Sequence, residues 1–375
     1  MLLTPIILFV ILMILLYVPP VQNFIRKQAT AIASDATGMN ISVERIDLRF
    51  PLNLLVRGVQ VVQSENDAVD VQHPDTLLNL GSLNVRVQAW PLLQGRVEVD
   101  DITLQQVAVN SSTLLEGMHI KGTLGRFFLE SHGIDLKKED AILNNVELSN
   151  THMQVMLADT TETPKDSTET AVNWRIALHN LKLKNVSVDL QMPLDSMALG
   201  ANIGDASIED ANVDLKRQFY GWRRFTLTES AVNYDSGMAA PVEGFDASHI
   251  ALRDIRIGID SVMACGRDMN AIIREFSMYD RSGLTVTSLT GRLFADSTLI
   301  RIPYLQLKTP HSDMDLTAQT YWKLVDIPTT GHLSARFNAN IGKQDVLLFA
   351  GGLPETFKEA YPFRPLVIHA GTEGN

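Results

Sequence analysis

Nine histidines and one cysteine are the residues of this chain whose types are most used in metal binding and nucleophilic catalysis. Asp246, Ser248 and His249 lie in one short stretch and supply the side-chain types of a Ser–His–Asp hydrolase. The other histidines are scattered, and no two of them stand at the spacing of metal ligands. Loops are rich in Asp and Ser, so we interpret this stretch as a polar loop and predict no catalytic residue.

No sequence motif indicates an enzyme. The chain lacks a P-loop, a dinucleotide-binding glycine fingerprint, a G-x-S-x-G elbow and an H-E-x-x-H zinc motif. Residues 220–225 (YGWRRF) mix bases and aromatics, but a half-buried strand whose arginines reach into solvent explains them better than a polyanion site. The net charge of −11 argues against a general affinity for nucleic acid or anionic headgroups. We therefore predict no metal, no cofactor and no nucleic-acid partner.

The first apolar segment, residues 2–18, contains no charged residue. As a helix rising about 1.5 Å per residue it would span roughly 25 Å, close to the thickness of a bilayer core. We predict a transmembrane domain over residues 1–20, in which Pro19-Pro20 ends or kinks the helix. The residues of the anchor that we expect to contact lipid are Leu2, Ile6, Leu8, Phe9, Ile11, Leu15 and Tyr17.

A cleaved signal peptide is the alternative for this segment, but no basic residue precedes it and the Ala31-Ile32-Ala33 cleavage candidate lies far downstream. Arg26 and Lys27 follow the segment, and the positive-inside rule by itself would place them in the cytoplasm. Residues 21–38 have helical spacing of apolar side chains and end at Gly38. This amphipathic helix would either cap the open end of the following structure or serve as a juxtamembrane spacer.

From residue 39 onward, apolar residues alternate with polar ones, and one pattern recurs: apolar at i, i+2, i+5 and i+7. A middle pair separates its halves, and that pair is polar or contains Gly in all copies but the last. The copies are Ile41-Val43-Ile46-Leu48, Leu78-Leu80-Leu83-Val85, Ile102-Leu104-Val107-Val109, Ala141-Leu143-Val146-Leu148, Leu181-Leu183-Val186-Val188, Ala206-Ile208-Ala211-Val213, Ile250-Leu252-Ile255-Ile257 and Ile300-Ile302-Leu305-Leu307.

In a regular strand, residues i and i+5 point to opposite faces, and one inserted residue returns them to the same face. Each copy is therefore predicted to be a strand that has one apolar face and a bend in its middle. Repetition predicts either an open, curved antiparallel groove with an apolar lining or a sandwich in which two apolar faces meet. The predicted lining residues are Ile41, Val43, Leu78, Leu80, Ile102, Leu104, Val107, Val109, Leu181, Leu183, Val186, Val188, Ile250, Leu252, Ile255, Ile257, Ile300 and Ile302.

Other segments set the limits of this mainly β body, residues 39–375. The length of 375 residues exceeds what one compact core usually holds, which favours an elongated architecture or several domains. Residues 159–170 (DTTETPKDSTET) predict a disordered surface loop. Residues 343–350 predict a short helix stopped by Gly351-Gly352. Residues 365–369 predict a strand close to the end of the chain, from which we expect the N-terminal part of a longer protein.

Several segments, taken in order, resemble the N-terminal part of the TamB family (the translocation and assembly module subunit) in the form found in Bacteroidota, which belongs to the AsmA-like bridge proteins. They are PPVQNFIRKQATAIASDATGMNISVERIDLRFPLNLLVRGV, WPLLQGRVEV, IKGTLGRFFLESHGIDL, YGWRRF, RSGLTVTSLTGRL and TPHSDMDLTA. The resemblance implies a single-pass inner-membrane anchor and a taco-like periplasmic β-groove, open at its C-terminal end, in a Gram-negative bacterium. It further implies acyl chains of phospholipids in the groove and a TamA-like outer-membrane partner.

Two departures from that family affect these expectations. Family members begin with basic residues before the anchor, whereas Met1 is followed directly by apolar residues. The family's long body and its partner-binding C-terminal domain are also missing. We expect a carrier of phospholipids between the inner and outer membranes, with a scaffold for outer-membrane protein insertion or secretion and a structural envelope protein as alternatives.

Overall fold

The computed structural model describes residues 39–49, 52–62, 76–88, 99–111, 117–135, 138–157, 173–237, 239–326, 332–350, 354–360 and 363–374, together with residues 23, 26–28, 30, 31 and 34. It is mainly β, as predicted. The predicted anchor (residues 1–20), most of the amphipathic helix and the predicted disordered loop (residues 159–170) lie outside the described residues. No helix in the described part of the chain is long and apolar enough to cross a membrane.

Seventeen strands and three short helices make up the described structure. The strands are β1 (Asn40–Arg49), β2 (Asn53–Val62), β3 (Thr76–Val87), β4 (Val99–Asn110), β5 (Met118–Asp135), β6 (Asp140–Leu157), β7 (Arg175–Met192), β8 (Met197–Asp214), β9 (Phe219–Ser236), β10 (His249–Cys265), β11 (Asp268–Asp280), β12 (Thr285–Val286), β13 (Ser288–Ala295), β14 (Leu299–Lys308), β15 (Asp313–Tyr321), β16 (Leu333–Ile341) and β17 (Leu366–Gly374). The helices are α1 (Trp322–Asp326), α2 (Lys343–Phe349) and α3 (Glu355–Ala360).

The strands fall into two compact units, the first containing β1–β6 and the second β7–β17. Within each unit the strands pair antiparallel with their neighbours in the chain, except that β11 pairs with both the two-residue β12 and β13. Among the described residues no pairing closes either sheet on itself. Described strands contact chiefly the neighbours with which they pair. No second sheet packs across either apolar face in the described part of each unit, so the sandwich alternative does not hold there.

The middle of the strands carries the predicted bend. Gln106, Asn185, Asp210 and Asp254 have φ angles of 49–56°, in the left-handed region, and each is the second residue of a predicted middle pair. Single left-handed residues are a signature of β-bulges and re-aim the chain. Strand pairing is interrupted at three opposed positions: Glu44 and Gly58, Gly58 and Gly81, and Gly81 and Gln106. The alignment of the strands is the same before and after each interruption. The bends of neighbouring strands therefore lie side by side. The prediction of a bent strand is therefore confirmed for these copies.

Two copies of the pattern behave differently. In β6 the left-handed residue is Asn150, and neither Asn144 nor Asn145 of the predicted middle pair has a positive φ. In β14 the register shifts between Ile302 and Leu305, so Pro303 and Tyr304 stand opposite one residue of β15. Proline cannot adopt a positive φ. This bend is therefore a β-bulge with an extra residue in β14 alone and no left-handed residue.

The first strand edge contacts the preceding helical residues. The Arg26 guanidinium donates a hydrogen bond to the Glu44 carbonyl oxygen (2.7 Å), and the Ser34 hydroxyl accepts one from the Ile41 N–H (3.1 Å). Edge strands carry unpaired backbone groups that must be satisfied elsewhere. These contacts are those expected if the amphipathic helix caps the start of the sheet, and they favour that interpretation over a spacer.

Helix α2 confirms the helix predicted over residues 343–350 and is fixed by a buried carboxylate. Asp345 accepts hydrogen bonds from the hydroxyls of Ser312 and Thr309 in the loop between β14 and β15. The Phe349 ring stands 5.3 Å from the Phe245 ring, centroid to centroid, in the loop before β10. Strand β17 extends to Gly374 and is thus longer than predicted.

The best-buried apolar cluster of the second unit lies around Ile255, Met278 and Val286. Asp280 closes the adjoining turn by accepting hydrogen bonds from the N–H groups of Ala251 (3.0 Å) and Ser282 (2.8 Å). Burial alone raises the pKa of Asp280, but the hydrogen bonds from Ser282 and from the backbone of Ala251 and Arg281 outweigh it and hold the pKa below its ordinary value.

We expect Asp280→Asn to lower the free energy of unfolding by about 2 kcal/mol at pH 7, because an amide offers fewer acceptors to these donors. A lowered folded-state pKa means that the carboxylate's contribution is fully present above the unfolded-state pKa and is lost as pH falls through the folded-state pKa. Urea unfolding of both proteins should show the difference shrinking below about pH 4. A difference that is constant down to pH 2 would contradict this role for the carboxylate.

Candidate functional site

Four rows of apolar side chains cross the strands of the first unit. Residues directly opposite each other on antiparallel strands point to the same face. Two rows lie on each side of the bends, and the residue inserted at each bend keeps all four rows on one face. The rows are Ile41–Val61–Leu78–Val109, Val43–Val59–Leu80–Val107–Leu124, Ile46–Val56–Leu83–Leu104–Phe127 and Leu48–Leu54–Val85–Ile102–Leu129. They contain all eight of the lining residues predicted for β1, β3 and β4.

The second unit has rows of the same kind across β7–β10. They are Leu190–Leu199–Tyr234–Ile250, Val188–Ala201–Val232–Leu252, Leu183–Ala206–Leu227–Ile257 and Leu181–Ile208–Phe225–Ile259. Val186 stands opposite Ile203, and Ile255 opposite Ser230. In β14, Ile300 stands opposite Ala295 and Ile302 opposite Ala318. The apolar face of each unit is therefore shared by successive strands.

These apolar faces are only partly shielded from water. Of the predicted lining residues, only Leu80, Val186 and Ile255 are buried; Val188 is exposed and the others lie between these classes. A residue in a packed core loses nearly all of its accessible surface, and each Å² of apolar surface left in water forgoes roughly 25 cal/mol. Rows of partly exposed aliphatic side chains thus form an apolar surface that an apolar ligand could cover.

The sequence prediction missed strands that belong to the same faces. In β2, Leu54, Val56, Val59 and Val61 follow the predicted spacing around Arg57-Gly58, so the signal was present. In β9 the third position is Ser230, a buried hydroxyl that donates to the Thr228 carbonyl oxygen at 2.8 Å. Because a polar residue occupies that position, β9 does not match the apolar pattern and was not predicted as a copy of it.

The polar face of the second unit carries a group of ion pairs beside Asp210, the left-handed residue at which β8 bends. Arg223 contacts Glu209 and Asp210, each at 2.6 Å, and Arg224 contacts Asp260 at 3.3 Å. Hydrogen bonds from Arg223 and then from His179 hold the pKa of Asp210 below its ordinary value. Residues 220–225 therefore lie in a strand, as predicted, and their arginines form ion pairs with neighbouring strands, which was not predicted.

The residues with candidate chemistry are held in structural contacts. His249 is buried, and its Nδ1 lies 2.9 Å from Asp246 Oδ2. Hydrogen bonds to the Asp246 carboxylate, first from the Val242 N–H and then from His249, hold its pKa below the ordinary value. Asp246 also accepts the Ser248 N–H at 2.9 Å, which is an Asx turn. Among the described residues, no three His, Cys, Asp or Glu side chains are grouped so as to hold a metal ion.

Comparison with known proteins gives no relative from which to transfer a function. No protein-family model matches the chain, and no curated protein matches it.

Proposed function

We propose that the protein carries phospholipids between two membranes, with acyl chains lying along the apolar faces of its bent strands. The observation that carries this proposal is the set of apolar rows in each unit, which run across successive strands with no second sheet over them among the described residues. An acyl chain covering such a surface gains about 0.8 kcal/mol per buried methylene.

The finer architecture belongs to the same proposal. In each unit the sheet would curve into a groove, the N-terminal segment would anchor the chain in the inner membrane, and the body would lie in the periplasm of a Gram-negative bacterium. In-register bends support the curvature, because a bulge adds local bend and twist to its strand. The resemblance to TamB proteins supports the anchor, the compartment and a TamA-like partner.

A second candidate function, a scaffold for outer-membrane protein assembly, rests on β17. This strand pairs with β16 along one side, and among the described residues its other side pairs with no strand. Leu366 and Val367 on it are exposed. An exposed apolar edge strand can accept a client strand by β-augmentation. Cross-links from position 367 to nascent outer-membrane proteins would favour this candidate over lipid transport.

The discriminating substitution is Leu183→Asp, which places a charge in one apolar row of the second unit. Its control is Ser207→Asp on the neighbouring strand: Ser207 stands opposite Lys182, one position along from the Leu183–Ala206 pair, and thus faces the other side. Both changes add one negative charge. Leu183→Asp should lower the affinity of the full chain in nonionic detergent for a fluorescent phospholipid about tenfold, since a charge is costly against an acyl chain.

Ser207→Asp should leave that affinity unchanged, and circular dichroism should report the same β content in all three proteins. Equal lipid affinity in folded Leu183→Asp would rule out the face as the lipid site.

A further inference from the structure

A recess of 380 Å³ lies on the polar face of the first unit, opposite the apolar rows. Arg57, Ser82, Gln105 and Arg126 cross β2–β5 as one row of directly opposed residues through its middle. Neighbouring strands are about 4.8 Å apart, so the two arginines stand on either side of two shorter polar side chains. Arg49 adds a third guanidinium to the lining.

Acidic residues on this face form ion pairs with arginines outside the lining of the recess. Arg45 holds Asp47 at 2.7 Å, and Arg86 holds Asp101 at 3.1 Å. Asp47 and Asp101 are themselves buried. Arg49 and Arg57 form no ion pair with any described residue, so the recess has an excess of positive charge within an acidic chain.

Other acidic residues border the recess. Arg126 pairs with Glu147 at 3.1 Å, with both side chains well exposed. Glu130 accepts a hydrogen bond from Asn145 at 2.6 Å, and Glu44 lies over Gly58 on the next strand. Exposed pairs of this kind contribute little and exchange easily, so Arg126 can turn toward an anion without a large loss.

Unsatisfied acceptors in the same recess indicate a ligand that also donates hydrogen bonds. The Oδ1 atoms of Asn53 and Asn84 are buried and have no hydrogen-bond partner. Both residues line the recess. A buried acceptor without a donor costs about 1–3 kcal/mol. The oxygens of a phosphate group would accept hydrogen bonds from the guanidinium groups, and a hydroxyl on the same ligand would donate one to Asn53 Oδ1 or Asn84 Oδ1.

We propose that this recess binds a phosphate group through Arg49, Arg57 and Arg126. Planar guanidinium groups bind phosphate oxygens in pairs, and hydrogen bonds to a charged group are about twice as strong as neutral ones. The group belongs either to a free phosphate compound or to a phospholipid headgroup at a bilayer surface. Because the site is on the face opposite the apolar rows, it is independent of acyl-chain binding along them.

The test is calorimetric titration of the full chain in nonionic detergent with inorganic phosphate at low ionic strength. Arg57→Gln should weaken binding about tenfold, and Arg57→Lys, which keeps the charge but not the paired donors, should weaken it less. Arg336→Gln is the control, because it removes the same charge from an exposed position on β16 in the second unit. Circular dichroism verifies that each variant is folded, and Arg49→Gln replaces Arg57→Gln if that variant is not.

A second titration uses vesicles of phosphatidylcholine with and without phosphatidylglycerol. Saturable phosphate binding that depends on Arg57 supports a free phosphate compound as ligand. Binding only to phosphatidylglycerol vesicles, again dependent on Arg57, supports a headgroup. The proposal is overturned if neither ligand binds, or if Arg57→Gln and Arg336→Gln bind with equal affinity.

Discussion

Gly204→Ala is expected to lower the free energy of unfolding by about 3 kcal/mol, the upper end of the usual cost of overpacking. A Cβ at this position in β8 would lie 2.4 Å from the Glu229 carbonyl oxygen and 2.7 Å from the Glu229 Cβ on β9. Glu229 has a left-handed φ of 51°, which brings its own Cβ toward the neighbouring strand. The contact is backbone against backbone, so no side-chain rotation can relieve it.

Urea unfolding measures this effect, and Gly371→Ala is the matched control. A Cβ at Gly371 in β17 would meet its nearest atom, the Ala335 carbonyl oxygen, at 3.9 Å, which is ordinary contact. That variant should be neutral or slightly stabilising, since alanine restricts the unfolded chain more than glycine does. Equal unfolding midpoints for the two variants would show that the bend at Glu229 does not need a glycine beside it.

The strands and their bends follow from the sequence because both depend on spacing alone. A step of three between apolar positions cannot keep one face unless a residue is inserted. The inserted residues Gln106, Asn185 and Asp254 confirm this expectation. Asn and Asp tolerate the left-handed region better than most residues, so their presence in the middle pairs was itself a signal.

The sequence could not tell which strand of a pair would take the left-handed residue. Opposite Gln106 and Asn150 stand Gly81 and Gly125, where an added Cβ would lie 2.9 Å and 2.8 Å from the partner's Cβ. At these two positions a glycine opposite makes room for the left-handed residue, and this relation between strands is invisible in the pattern of one strand.

The polar recess also could not be predicted from the sequence of any one strand. Arg57, Ser82, Gln105 and Arg126 come from four strands and become one row only when the register is known. Net charge pointed the other way, because an acidic total conceals a local excess of arginine. Apolar spacing repeats within each strand and can be detected there, whereas this row exists only between strands.

The apolar faces also contain one packed cluster, and Ile255→Ala is expected to lower the free energy of unfolding by about 3 kcal/mol. Ile255 is 4% exposed and lies with Met278 and Val286, against which Leu227 and Phe276 also pack. Truncation to alanine removes three carbons and leaves a cavity that rigid strands fill poorly, so both the transfer and the cavity terms contribute.

Val186 and Val188 provide the internal comparison, because both lie on the apolar face of β7 and differ mainly in exposure. Val186 is 5% exposed and Val188 is 38% exposed. Val186→Ala should cost about 2 kcal/mol and Val188→Ala less than about 1 kcal/mol, as measured by urea unfolding of the full chain without added lipid. Phospholipid that binds the apolar face should stabilise the protein against unfolding, since only the folded state offers that surface. The gain should be smaller for Val188→Ala, because the truncation removes part of that surface. A Val188→Ala cost as large as that of Val186→Ala in the absence of lipid would mean that this face is already covered, and the open apolar surface would have to be abandoned.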